Sequence, residues 1–365
     1  MSKIDRFRGC LIGGAAGDAL GYTVEFMHER EIFSRYGEKG ITQYEPVRGK
    51  ARVSDDTQMT LFTAAGLMAA AARGDRDVYA GHVHRSYLDW LRTQEQPGPL
   101  PEDDRYTWLA GVPELYDRRA PGITCQSALK TGRPGTIERP INRSKGCGGV
   151  MRVAPVGLFF AGRPEAETAA RIGAAAAALT HSHILGWMPA AALAQIVWEL
   201  VRNDVSVRDA VVCSLETVKS MWSETEERGY FIALTELALN LAGSDATDLE
   251  AIHRLGEGWV GEEALAIAVF CAVRYENDFD RAIIAAVNHK GDSDSTGAVA
   301  GNILGAKGGL SGIPEKYTQN LELKDVILQI ADDLYSGGKD VEGNPDPAWM
   351  ERYSGTKKGN CEDGL

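Results

Sequence analysis

Carboxylates and small hydroxyls gather at three places in the chain. Glu25 lies near the end of the run RGCLIGGAAGDALGYTVEF (8–26), Ser54-Asp55-Asp56-Thr57 opens an Ala- and Leu-rich stretch, and Asp292-Ser293-Asp294-Ser295 lies within HKGDSDSTGAVAGN (289–302). Ser and Asp are favoured N-caps, acids near a helix start meet the positive end of its dipole, and Asp55 with Gln58 approximates a capping box. A cap uses one side chain, however, whereas each Asp cluster offers two carboxylates and hydroxyls besides. Four Asp and a Glu brought to one place would push each other's pKa values up steeply unless a cation answered them. Hard ions such as Mg²⁺, Mn²⁺ or Ca²⁺ take oxygen ligands of this kind. The expected chemistry is that of a carboxylate-held cation site, provided the fold joins the clusters.

Competing motifs are incomplete. DSDSTG begins like an EF-hand loop, but its fifth position is Thr296 and its twelfth, counted from Asp292, is Ile303 rather than Glu. GCGGVM at 146–151 breaks GxGxxG at its last position, and no GxxxxGK[ST], HExxH or GxSxG occurs. His82 and His84 are two apart, which on a helix turns them away from each other. The six cysteines (10, 125, 147, 213, 271 and 361) form no CxxC pair, against a zinc ribbon, a thioredoxin motif or a disulfide-dense module. No apolar run reaches the ~18 residues of a membrane span, and Asp18 cuts the N-terminal apolar patch, a poor signal peptide. A cytoplasmic location is the expectation.

The elements that must position the clusters are helices. Residues 57–73, 165–179, 184–202, 206–222, 230–242, 261–275 and 278–288 carry Ala, Leu and Met at spacings that make apolar faces, and a further helix is expected from about 296. Strand-like alternation is confined to a short stretch around 41–48. Gly9, Gly13, Gly17 and Gly21 fall every fourth residue, as do Gly297, Gly301 and Gly305, which on a helix puts each set along one side. A mid-helix Gly costs ~1 kcal/mol relative to Ala, so such rows imply two helices packed unusually close in the core, as small residues allow in membrane bundles. Residues 94–150 are rich in Pro and Gly, with helix permitted at 108–117 and 125–131; so long a loop-rich segment in a compact domain usually has a function. The reading is an all-α fold: one large orthogonal helical domain over 1–335 with the metal site between helices, then a polar tail, 336–365, expected to be poorly ordered. The formal net charge of −12, from 39 Lys+Arg against 51 Asp+Glu, argues against nucleic acid as the main partner.

The run GGAAGDALG…E, then SDDT, SKGCGGVMRVAP, TH and GDSDSTGAVAGN resembles the ADP-ribosylglycohydrolases, in the right order over roughly residues 5–315. The resemblance implies a binuclear Mg²⁺ or Mn²⁺ centre at which ADP-ribose is cut from modified protein side chains, ADP-ribosyl-arginine first among them. By the same resemblance Asp55, Asp56, Asp292 and Asp294 match metal carboxylates. Ser54 and Ser295 stand where many members have a metal-binding Thr, so a hydroxyl oxygen survives. Glu25 matches an acidic position proposed for acid/base work and, with Asp55, is the catalytic candidate. Gly146, Cys147, Gly148 and Gly149 match a Gly-rich stretch that binds diphosphate and distal ribose, with Cys147 where Asn is common, and His181 matches a position near the phosphates. Arg152 could offset the chain's negative charge locally, and Tyr22, Phe26 or Trp187 could stack on adenine, although core filling suits each as well.

Two other readings compete. A two-metal phosphohydrolase would use the same carboxylates and release AMP rather than intact ADP-ribose. A binding or immunity protein would neutralise an ADP-ribosylating toxin by holding it, with or without turnover, and would dock it through 94–150 or a terminal extension. Intact acidic clusters argue for a working hydrolase whose partners are ADP-ribosylated protein and, in the second case, the toxin, with no nucleic acid and no membrane.

Overall fold

The computed structural model describes residues 1–75, 78–337 and 346–355. Among them are seventeen α-helices and no strand. The first seven are α1 (Lys3–Gly21), α2 (Glu29–Tyr36), α3 (Asp55–Ala72), α4 (Tyr79–Glu95), α5 (Ile123–Lys130), α6 (Ala154–Phe160) and α7 (Ala166–Ala178). There follow α8 (Ile184–Arg202), α9 (Val207–Met221), α10 (Glu226–Ala242), α11 (Asp248–Leu255) and α12 (Gly261–Arg274). The last five are α13 (Phe279–Val287), α14 (Ser293–Gly308), α15 (Glu315–Thr318), α16 (Lys324–Gly337) and α17 (Pro347–Ser354). The all-α expectation holds, and the stretch at 41–48 yields only an isolated bridge between Val47 and Lys50.

The two glycine rows meet. Helix α1 runs antiparallel to α14, so that Gly9, Gly13, Gly17 and Gly21 lie opposite Gly305, Gly301, Gly297 and Ser293. A Cβ on Gly297 would stand 2.6 Å from the Gly17 carbonyl oxygen, and one on Gly21 would stand 2.6 Å from the Asp294 nitrogen. Backbone thus packs on backbone along the whole seam, and the lost helix propensity is offset by dispersion contacts over four turns. The seam also fixes geometry: it sets the end of α1, and so Glu25, beside the start of α14. Asn302 fits against Gly14 and donates from Nδ2 to the Cys10 carbonyl at 2.8 Å.

Around the seam lie α3, α8, α12, α13 and α16. Helix α8 is long and apolar enough to cross a membrane, contrary to the reading of the sequence, yet nearly all of it is buried among α6, α7, α9 and α12. A helix that is apolar all round belongs in a core of this size. The expected helix at 108–117 breaks into two 3₁₀ turns, Trp108–Gly111 and Pro113–Tyr116, because Pro113 has no N–H to continue the first. Within the stretch read as a polar tail, Asp346 caps α17, which buries Trp349 and Tyr353. The Tyr353 hydroxyl donates to Asp333 at 2.7 Å. The rest of that stretch beyond Gly337 lies outside the described residues.

Candidate active site

Three helix ends converge at the close of the seam. Helix α3 starts with Ser54 as N-cap, its Oγ accepting from the Asp56 N–H at 3.2 Å; Asp55 and Asp56 occupy the first turn. Helix α14 starts one turn earlier than the sequence suggests, because Asp292 is its N-cap and accepts from the Ser295 N–H at 3.3 Å, while Asp294 accepts from the same N–H at 2.8 Å. Capping is therefore real at Ser54 and Asp292 and leaves Asp55, Asp56 and Glu25 unexplained. Both helix N-termini direct partial positive charge at the same point, the natural seat for anionic groups.

Glu25, Asp292 and Asp294 each place one carboxylate oxygen within 4.8 Å of the other two, and all three are buried. Asp55 and Asp56, also buried, border Asp294 closely enough to feel its charge. Burial, followed by repulsion from Asp294, Asp292, Asp55 and Asp18, pushes the Glu25 carboxyl up to about 10. Asp56 and Asp292 are raised well above the usual carboxylate range by burial and then by Asp294. Burial also raises Asp55, against the Gly122 N–H that donates to its Oδ2 at 3.1 Å. Burial raises Asp294, and hydrogen bonding with Asp292, Ser54 and its neighbouring N–H groups opposes the shift.

Two of these buried oxygens, Glu25 Oε2 and Asp56 Oδ2, have no hydrogen-bond partner among the described residues. An all-oxygen, like-charged, partly unpartnered cluster fits a divalent cation: Glu25, Asp55, Asp56, Asp292 and Asp294 could ligate it, with the hydroxyls of Ser54 and Ser295 at hand. The 94–150 segment closes this site from one side, since the Asp55 N–H donates to the Arg119 carbonyl at 3.0 Å and Gly122 reaches Asp55.

A carboxylate missed in the sequence supports the cluster from behind. Asp18, fully buried on α1, accepts from the Ser54 N–H at 2.9 Å, the Thr57 N–H at 3.1 Å and the Thr57 hydroxyl. It pins the start of α3 to the seam. Burial, then Asp294, lifts its carboxyl to about 7 despite those donors. The available signal was an acid set inside a glycine row on an otherwise apolar helix: buried there, it must find several donors.

The Gly-rich loop and His181 also come together. Cys147–Gly149 form a 3₁₀ turn tied to the start of α12, the Cys147 N–H donating to the Trp259 carbonyl at 3.2 Å. A Cβ on Gly146 would stand 3.3 Å from His181 Nε2, and one on Gly148 2.8 Å from His181 Cε1. Burial, then the negative charge of Asp292 and Asp56, keeps the Cys147 thiol well above its usual range, which fits a loop residue and not a nucleophile. Arg152, read from the sequence as a local offset to the negative charge, is fully buried. Among the aromatics, Trp187 packs in the core on Trp222, Tyr22 is half-buried, and Phe26 is 73% exposed and stacked on Trp259 at 6.3 Å between centroids. His82 binds Asp75 at 3.0 Å and Tyr106, while His84 Nε2 has no hydrogen-bond partner among the described residues, so the two side chains do not share a partner there.

Comparison with known proteins gives one answer at three levels. The family model described as ADP-ribosylglycohydrolase matches residues 1–343. The chain is 25% identical over 347 residues to the ADP-ribosylhydrolase ARH3 of Bos taurus, covering 88% of this chain and 89% of that protein. It is 26% identical over 324 residues to the ADP-ribosyl-[dinitrogen reductase] glycohydrolase of Rhodospirillum rubrum, covering 88% and 91%. A solved structure titled ADP-ribosylglycohydrolase-related protein complex shares the fold, with a TM-score of 0.62 at 23% identity over 92% of this chain and 99% of that one.

Proposed function

The chain belongs to the ADP-ribosylglycohydrolase family, and from that premise we propose that it is a divalent-cation-dependent hydrolase removing ADP-ribose from modified protein side chains, with ADP-ribosyl-arginine as substrate. The observation that carries this reading is the buried meeting of Glu25, Asp292 and Asp294 beside Asp55 and Asp56. Two Mg²⁺ or Mn²⁺ ions would be held there by Asp55, Asp56, Asp292 and Asp294 with the hydroxyls of Ser54 and Ser295. Bound cations supply Lewis acidity and a template for the hydroxyls of the ribose next to the scissile bond.

The chain's own groups do the rest. Glu25, whose Oε2 has no hydrogen-bond partner among the described residues, is the group suited to give a proton to the departing guanidine. Asp55, oriented by the Gly122 N–H, is placed to take a proton from the attacking water. Gly146, Gly148 and Gly149 carry no side chain to keep a diphosphate from their amides, and His181 lies beside Gly146 and Gly148. The site's surroundings exclude bulk water, since all five carboxylates are under 10% exposed.

The test is release of free ADP-ribose from an ADP-ribosylated arginine protein in Mg²⁺. Asp55→Asn and Asp294→Asn should each abolish release while leaving helicity and melting intact. Release of AMP would point to hydrolysis of the diphosphate linkage, and full activity in both variants would refute the metal assignment.

A further inference from the structure

Arg152 is a buried cation with no carboxylate partner among the described residues. Its guanidinium lies 4.4 Å from the centroid of the Tyr87 ring; Nη1 faces the sulfurs of Cys125 and Met59 at 3.4 and 3.5 Å. Nη2 donates to the Ala176 carbonyl at 3.1 Å and to Thr180 Oγ1 at 2.7 Å. Burying an arginine without an acid is costly, and a single-purpose packing residue would be apolar.

The chain of contacts continues from Thr180. Its Oγ1 lies 2.9 Å from His181 Nδ1. Arginine only donates, so Thr180 Oγ1 accepts from Arg152 and has one hydrogen left to give. Two acceptors border it: the imidazole nitrogen and the Cys125 thiol, and sulfur is the weaker. The hydroxyl proton therefore goes to Nδ1, and the ring's own proton sits on Nε2. Had Nδ1 carried the proton, a fully buried hydroxyl hydrogen would face only sulfur. Burial, then the Arg152 charge, holds His181 down at about 3, so the ring stays neutral and has only one N–H. That N–H faces the loop, with Nε2 3.3 Å from the place a Gly146 Cβ would take and 3.2 Å from that of Gly148. The ring's hydrogen bond to Thr180 is made through Nδ1, which leaves Nε2 on the side of the loop.

We propose that Arg152 and Thr180 are positioning residues: their hydrogen-bond relay fixes His181 as the Nε2–H tautomer, a single neutral donor aimed at a phosphate oxygen held by Gly146–Gly149. A neutral donor with a fixed tautomer reads the ligand's oxygen by geometry, with no titration near neutral pH. The proposal rests on reading that loop as the diphosphate seat.

Nitrogen-15 spectra of labelled wild-type protein test the relay with no variant at all. His181 is expected to show a protonated Nε2 and an unprotonated Nδ1; a protonated Nδ1 overturns the proposal. Thr180→Ser, which keeps the hydroxyl, should retain this tautomer and wild-type affinity for ADP-ribose. Thr180→Val should lose the fixed tautomer and bind ADP-ribose about tenfold more weakly, which is ~1.4 kcal/mol. Wild-type tautomer and affinity in Thr180→Val would also overturn it; if that variant does not fold, the wild-type and Thr180→Ser spectra decide. Absence of ADP-ribose binding in wild type would instead overturn the reading of the loop, and the nitrogen spectrum would still judge the relay.

Discussion

Replacing Gly297 by alanine adds one methyl group at the tightest kind of contact the fold contains. The new Cβ would stand 2.6 Å from the Gly17 carbonyl oxygen and 2.9 Å from its carbon, where ordinary contact begins at 3.4 Å. Neither partner can rotate away, because both are backbone in the middle of a helix. Alanine returns about 1 kcal/mol of helix propensity, whereas overpacking of this type costs about 1–3 kcal/mol, with two rigid backbones placing it at or above the upper end. The net expectation is a loss of about 2 kcal/mol, which in a chain of 365 residues lowers the melting temperature by about 3 °C. Because the seam sets Glu25 beside Asp294, opening it should also weaken Mn²⁺ binding measured by calorimetry. The control is Gly229→Ala on α10, where a Cβ meets nothing within 4 Å and the propensity gain stands alone. If Gly297→Ala melts at or above wild type with unchanged Mn²⁺ affinity, close seam packing does not position the site.

Three further outcomes follow from the electrostatics. Asp18→Asn keeps the size of the side chain but weakens three hydrogen bonds from Ser54 and Thr57; it should cost about 2 kcal/mol in urea unfolding and reduce cation affinity. Because burial and like charge raise the carboxyls of Asp56 and Asp292, the cation-free site holds protons that a cation must displace. Mn²⁺ affinity should therefore rise with pH, and calorimetry in buffers of different ionisation enthalpy should detect proton release; a pH-independent affinity would contradict this. His289, buried, accepts from the Gly291 N–H at 3.0 Å, and burial lowers it to about 4 from 6.5. Its neutral form is full-strength stabilisation above pH 6.5 that is lost as pH falls towards 4, about 2 kcal/mol of it by pH 5. The urea midpoint of wild type should accordingly fall more steeply between pH 7 and pH 5 than that of His289→Gln, and equal slopes would show that His289 is not the group responsible.

The sequence carried most of the fold because the signals were redundant. Runs such as DDTQMTLFTAAGLMAAAA, with two acids at the start and alanines throughout, have no competing strand pattern, and the glycine rows announced the seam by spacing alone. Amphipathic helices with fewer apolar residues, such as α2 and α11, escaped notice because their short periods of polarity read as loop. The acidic clusters were legible as local motifs, and their joining followed from the seam. The partners of Asp18 and Arg152 were not legible, since what makes these residues matter is burial among groups far away in the chain: Asp18, marked only as an acid within the glycine row, among the amides of α3, and Arg152 between α7 and Tyr87 of α4. Gly122 and Arg119 were hidden for the same reason, inside a Pro- and Gly-rich segment whose backbone direction no periodicity fixes.

Crystals grown with Mn²⁺ and measured at its absorption edge address the central claim directly. The account expects two anomalous peaks enclosed by Glu25, Asp55, Asp56, Asp292 and Asp294, both lost in Asp294→Asn. Peaks elsewhere on the surface with none among these carboxylates would contradict it.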